Sequence, residues 1–292
     1  MSYRSEAGRI VIEETRTAAR SDAQGAAHAP TPSAFGRVAA IARNTFREAV
    51  RDRVLYNLVL FVLLLTAGAV FLGEMSAAQE SKIIADMGLS AALVFGVFIS
   101  VFVGVGLVYK ETDRRTVYAI FSKPVGRGEF LLGKYLGLCL TLAVNVFVMG
   151  VGVTLALVYV GRGSNALVWS VWPALALVYV ELLLMVAVAL LFSSFSSPAL
   201  SALMTLAVFV IGPSSAALKS LADSSAAPAG RQVAGALYYL LPNLSLYAHI
   251  TAAAHGERPE PAAFALAVIY GVVYIAVLLA GATLVFKRRN FK

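Results

Sequence analysis

An all-α integral membrane protein with six spans and both termini inside is the fold class this chain predicts, on three observations. Of its 292 residues, 59% are hydrophobic and only 14% charged, against about 25% charged in soluble domains. The apolar residues gather into six blocks close to the length of a bilayer crossing, roughly 20 residues at about 1.5 Å each. Lys and Arg concentrate on alternate connections, which in membrane proteins marks the cytoplasmic side. The predicted spans are about residues 55–73, 87–109, 135–160, 168–192, 199–217 and 262–286.

Residues 1–33 are Ala-rich, polar and of mixed charge, without a long apolar core. They read as a disordered cytoplasmic arm rather than a cleavable signal peptide. From residue 34 to 292 the chain reads as one six-span domain. Phe35, Val38, Ala39, Ala42, Phe46, Ala49 and Val50 recur at helical spacing and share a face, with Arg43, Arg47 and Arg51 along one flank. The pattern predicts an amphipathic helix in the inner interface, its cations toward anionic headgroups and Ser33 as its N-cap.

The second span carries Gly88, Ala92, Gly96, Ser100 and Gly104, five small residues at strict four-residue spacing. Such a stripe lets a second helix approach closely. Asp86 lies at its outer edge and is expected to pair with Lys82. The loop that follows, 110–134, reads KETDRRTVYAIFSKPVGRGEFLLGK. A helix from Glu111 to about Phe121 is predicted, with Glu111 and Asp113 at its positive N-terminal end. Tyr118, Ile120 and Phe121 are too apolar for a bare solvent loop and are expected to insert into a partner. Gly128 to Lys134 imitates a phosphate-binding loop, but Tyr135 replaces the magnesium-binding Ser or Thr and no strand precedes it. Gly161, Gly163 and Ala166 imitate a dinucleotide fingerprint in a chain without a βαβ unit.

Two polar residues sit deep in predicted spans: Asn145 in the third and Glu181 in the fourth. An acidic group at the bilayer centre is unfavourable by about 2.5 to 3.5 kcal/mol on insertion scales. Their depths, each about 15 Å from the inner boundary, predict that they meet by a hydrogen bond. The same pair serves a pathway reading and a structural one. The fifth span is short, interrupted by Gly212-Pro213, and either continues as helix past Pro213 or re-enters on the outer side. In the outer loop, 218–261, Arg231 to Leu241 reads as a helix on or in the outer leaflet, halted by Pro242.

The charge count orients the chain. Nineteen of its 24 Lys and Arg residues fall before the first span, in loop 110–134 or in the tail KRRNFK, and five fall on the opposite side. That distribution, not the net charge of +8, decides the partner: a lipid bilayer and no nucleic acid. The single cysteine, Cys139, excludes a disulfide framework. His249, His255, Met185 and Met204 do not fall at metal-ligand spacing, and no catalytic triad or carboxylate pair is present, so neither a metal site nor a catalytic site is expected.

The order of an amphipathic helix (TFREAVRDRVLYNLVLF), a charged loop with Glu111 early and SKPVGRGEFLLGKYLG at its end, a PNLS stretch before the last span and a terminal KRR resembles the ABC-2 type permeases. The likeness covers roughly residues 35–292 and is nearest the branch associated with multicopper enzyme maturation and related export systems. It implies a non-catalytic permease subunit of an ABC transporter in the bacterial cytoplasmic (inner) membrane. It further implies a second permease copy, as homodimer or related permease, and a separate ABC ATPase that holds the ATP and Mg; this chain binds no cofactor. By that resemblance Glu111, Arg114, Arg115 and Thr116 fall in the ATPase-coupling segment, and Ser122, Lys123, Pro124, Arg127, Glu129 and Lys134 match the family's pattern at the end of the loop. Many relatives have Gly-Thr after the Glu; Arg115-Thr116 here implies a tighter or more helical turn. The functional reading is an ATP-driven exporter, with a force-transmitting membrane scaffold as the competing class. A secondary transporter is less well supported, since it needs broken helices and paired charges in both halves.

Overall fold

The computed structural model describes residues 33–50, 60–61, 64, 68, 79–113, 126–160, 165–224 and 228–288. Residues 38–292 form one unit and residues 1–37 another. Among the described residues there is no strand, and the helices are α1 (Ala34–Ala49), α2 (Glu80–Asp113), α3 (Arg127–Tyr159), α4 (Asn165–Ser193), α5 (Pro198–Ile211), α6 (Ser215–Ser224), α7 (Pro228–Leu240), α8 (Ile250–Ala254) and α9 (Pro261–Arg288). One 3-10 turn, Gly212–Ser214, joins α5 to α6, and another, Leu244–Tyr247, precedes α8.

Among the described residues, four helices are long and apolar enough to cross a membrane: α2, α3, α4 and α9. A fifth crossing is available if α5 and α6 count as one, since the pair passes the same test but bends by 73° at the turn between them. Pro213 explains the bend, because it removes a helical N–H and its ring clashes with the preceding turn. The chain therefore remains helical past Pro213 but changes direction. Of the predicted first span, Leu60, Phe61, Leu64 and Gly68 are described and helical. Phe61 is fully buried, edge-on to Phe95 of α2 at 6.0 Å between ring centroids.

Two boundaries differ from the sequence reading. Loop 110–134 is shorter at both ends, because α2 runs on to Asp113 and α3 begins at Arg127. The start of α3 is held by Glu129, whose carboxylate accepts the Gly126 N–H at 3.4 Å, the N3 half of a capping box. Lys134 is therefore a buried residue of α3, its ammonium 5.2 Å from the centre of the Phe130 ring.

α4 is the axis of the unit. It is apolar on all sides, as a helix surrounded by others must be, and Val178, Leu182, Met185 and Ala189 are fully buried. Against it α3 runs antiparallel: the Tyr179 hydroxyl donates to the Cys139 carbonyl at 3.1 Å and Tyr135 to that of Leu183 at 3.4 Å. α2 lies parallel to it. Gly96 faces Leu182 and Gly104 faces Ala189, so closely that a methyl at Gly104 would stand 3.3 Å from the Ala189 methyl. All five small residues of the stripe are buried, and Gly96 and Gly104 pack on a helix of the same chain. α9 differs in kind: Leu266, Ile269, Val272, Val273 and Val277 are about 60% exposed, a face suited to lipid or another apolar surface.

α1 begins at Ser33, whose hydroxyl accepts the Gly36 N–H at 3.2 Å. From Val38 onward it presses on α3 with a face of small residues. Thr45 and Ala49 are buried and Ile41 and Ala42 half-buried, whereas Phe35 and Ala39 are exposed. The apolar face predicted through Phe35 and Ala39 is thus rotated by part of a turn. The reason lies on α3, where Gly133 and Gly137 let the backbones approach until only small side chains fit. Arg43 and Arg47 stay exposed, and Arg51 lies outside the described residues.

Candidate functional site

At the end of the unit that carries α6 to α8, the PNLS stretch is a polar junction between three elements. The Asn243 side-chain oxygen accepts the Ser245 N–H at 3.1 Å, the Ser245 hydroxyl at 2.5 Å and the Ser215 hydroxyl, at the start of α6, at 2.7 Å. The Asn243 N–H donates to the Tyr270 hydroxyl of α9 at 2.9 Å. One turn further along α9, the Tyr274 hydroxyl donates to the Leu240 carbonyl at the end of α7 at 2.7 Å. The junction satisfies the Leu240 carbonyl and the Asn243 and Ser245 N–H groups, which the break at Pro242 leaves without helical partners. Gly212 is needed here, since a methyl on it would meet Leu244 at 2.7 Å and the Pro242 carbonyl at 3.2 Å.

Beneath this junction lies a cavity of about 300 Å³ between α2, α4, α5 and the 244–251 segment. Its polar lining is Asp86 and Ser90 of α2, Glu181 of α4, Tyr247 and Thr251. Leu93, Phe209, Leu244 and Ile250 supply apolar wall. Thr251, Ala248 and Pro213 at its rim are exposed, so the space opens outward past them. Tyr247 is spent elsewhere: its hydroxyl donates to the Ala267 carbonyl of α9 at 3.1 Å. The Ser170 hydroxyl, 2.7 Å from the Ala253 carbonyl, ties α8 to α4.

Glu181 is 4% exposed and makes no hydrogen bond or ion pair with any described residue. This corrects the expected bond to Asn145. The Asn145 amide nitrogen donates to the Thr141 carbonyl of its own helix at 2.9 Å, and its side-chain oxygen is buried without a partner. The two residues are not level: with Cys139 against Tyr179 and Tyr135 against Leu183 on antiparallel helices, Asn145 stands beside about residue 173 of α4, roughly 12 Å along the axis from Glu181. The expected Asp86–Lys82 pair is also absent: Asp86 turns into the cavity and Lys82 is exposed.

A buried carboxyl without a partner is a destabilising feature, and replacing such a group by an apolar one of similar size is neutral or stabilising by up to a few kcal/mol. Glu181→Leu is therefore expected to leave the thermal unfolding midpoint in detergent unchanged or to raise it, by about 1 kcal/mol in stability. A marked fall would mean that Glu181 is a structural link.

The remaining predicted residues divide simply. Glu111 and Asp113 are in the last turn of α2, Arg127 and Glu129 in the first turn of α3. Arg114, Arg115, Thr116, Tyr118, Phe121, Ser122, Lys123 and Pro124 lie outside the described residues. The sequence reading missed the cavity, the Asn243 junction as a hydrogen-bonding centre and the Gly133–Gly137 notch. Of these the notch was the most accessible, as two glycines four apart at the head of an apolar block.

A family model described as "ABC-2 family transporter protein" matches residues 39–291. A search of curated proteins returns no match. The match is at the level of the family and carries no narrower branch.

Proposed function

This chain belongs to the ABC-2 family of transporter proteins, and from that premise we propose that it is the membrane-spanning permease subunit of an ATP-driven exporter. The family match over nearly the whole helical unit is the observation that carries the reading. A permease of this family is a non-catalytic membrane subunit, so ATP and Mg belong to an ABC ATPase partner. The last turn of α2 at Glu111 and the residues between α2 and α3, with Arg114, Arg115 and Lys123 among them, form the coupling segment that meets that ATPase. The positive-inside count supports six spans with both termini in the cytoplasm of a bacterial inner membrane. In that orientation α6 to α8 and the cavity are on the outer side. Two permease copies make the transporter, and Glu181 lines its route.

The test is purification of the chain from its native membrane in mild detergent, with identification and stoichiometry of what accompanies it, beside a variant carrying Arg114→Glu, Arg115→Glu and Lys123→Glu. The expected result is an ABC ATPase at about one per chain, lost in the variant because like charges then face the contact. No ATPase with either form would overturn the reading. Glu181→Leu should keep the ATPase and lose transport; undiminished transport would remove Glu181 from the route.

A further inference from the structure

The cavity beneath the Asn243 junction has the composition of a binding site, and we propose that it binds a small organic cation, an alkylammonium with an apolar body. This names a ligand class for the route proposed above and rests on that reading for its role in transport; the binding itself is a property of this chain. Four observations carry it. Glu181, the deepest group in the cavity, is 4% exposed, unpartnered among the described residues and lines the space. Desolvation without a counter-charge is costly for a carboxylate, and a bound cation supplies that charge. Asp86, the second acid, lines the same space, while Lys82, four residues before it on the same helix, does not.

The third observation is the spacing of the two acids. Because Gly96 faces Leu182 on a parallel helix, Glu181 is level with about residue 95 of α2, and Asp86 is nine residues nearer the open end. At 1.5 Å rise per residue that is about 13 Å. The space is thus elongated, with one carboxyl near its mouth and one at its floor. A cation passes the first and reaches the second.

The fourth is the wall between them. Leu93, Phe209, Leu244 and Ile250 line it, a surface for a hydrocarbon body and, at Phe209, an aromatic face for a cation. A metal ion fits less well. Divalent ions take six or more oxygen ligands at short range, and no group of three His, Cys, Asp or Glu side chains that suits a metal occurs among the described residues. A volume of about 300 Å³ is at the lower end of small-molecule sites. An anion is disfavoured by both carboxyls.

The test is equilibrium binding of radiolabelled n-hexylammonium to the full chain in lipid nanodiscs, with empty nanodiscs as background. Hexanol and hexanoate, which share its body and lack its charge, are the competitors. Saturable binding near one per chain is expected, displaced by unlabelled hexylammonium and not by hexanol or hexanoate. Charge-assisted hydrogen bonds are the strong ones, so Glu181→Gln should weaken binding by about tenfold or more. Phe209→Ala, which spares both acids and removes wall, should weaken it by a smaller factor. Equal binding by hexanol, binding unaffected by Glu181→Gln in a chain that elutes as a single species, or the absence of a saturable component would each overturn the assignment. Co-purification of the ATPase is scored separately, so a chain that carries its ATPase and binds no hexylammonium sinks this proposal alone.

Discussion

Gly137→Val is expected to lower the stability of the helical unit by about 3 kcal/mol, a strong overpacking effect. A β-carbon at Gly137 would stand 2.6 Å from the Ala42 carbonyl oxygen and 2.6 Å from the Thr45 β-carbon. Neither neighbour is the free end of a flexible side chain: one is helix backbone, the other is fixed to it. Relief requires α1 to move off α3 as a body, which also opens the contact at Gly133, where a β-carbon would meet Ile41 at 2.8 Å. Gly96 has a close neighbour too, but there it is the tip of Leu182, and a rotamer change answers it. Gly106, with nothing within 4 Å, is the control: Gly106→Val should change little. The measurement is the thermal unfolding midpoint of the three proteins in one detergent. A Gly137→Val midpoint within error of Gly106→Val would mean that α1 is not held by α3.

That contact also shows where sequence reading stops. Hydropathy and spacing gave α2, α3, α4 and α9, because an apolar block of sufficient length has few alternatives to a helix in a bilayer. The stripe Gly88 to Gly104 was legible because its spacing holds over four steps within one block. The helix predicted at Arg231 to Leu241 is present as Pro228–Leu240. The Gly133–Gly137 notch was hidden by its position: Gly133 fell in a segment read as loop and Gly137 in the next span, so the pair straddled an assumed boundary. The pairings Asn145–Glu181 and Lys82–Asp86 failed for other reasons. The depths of Asn145 and Glu181 were counted from assumed span ends, and α3 begins at Arg127 rather than at 135; for Asp86, the direction a side chain faces depends on which helices surround it, and one sequence does not carry that. The same limit concealed the cavity, whose walls come from residues as far apart as Asp86 and Thr251. The PNLS stretch stood out only through family resemblance. Its role needs the positions of Ser215 and Tyr270, 28 residues before and 27 after Asn243.

Asn243 therefore carries the second large effect. Its side-chain oxygen is acceptor for two groups of Ser245 and for the Ser215 hydroxyl. Asn243→Ala strips all three donors at once. Ser245 is exposed and regains water, so its share of the loss is small; Ser215 is 7% exposed and keeps only the long contact to the Ser245 hydroxyl at 3.4 Å. An unpaired buried hydroxyl costs about 1 to 3 kcal/mol, and with that weak contact retained a loss of about 1 to 2 kcal/mol is expected overall. The effect should be local, since the Asn243 N–H still reaches Tyr270 and the Tyr274 tether to α7 is untouched. Faster hydrogen exchange over residues 212–250, with α2 and α4 unchanged, is the expected pattern. Asn243→Asp discriminates between acceptor and packing, because it retains the oxygen and removes only an amide nitrogen that has no partner among the described residues. Exchange restored by Asp and not by Leu assigns the junction to the acceptor. Equal loosening in all three variants would assign it to shape, and the covering of the cavity would then depend on Leu244 and Tyr247 packing rather than on Asn243.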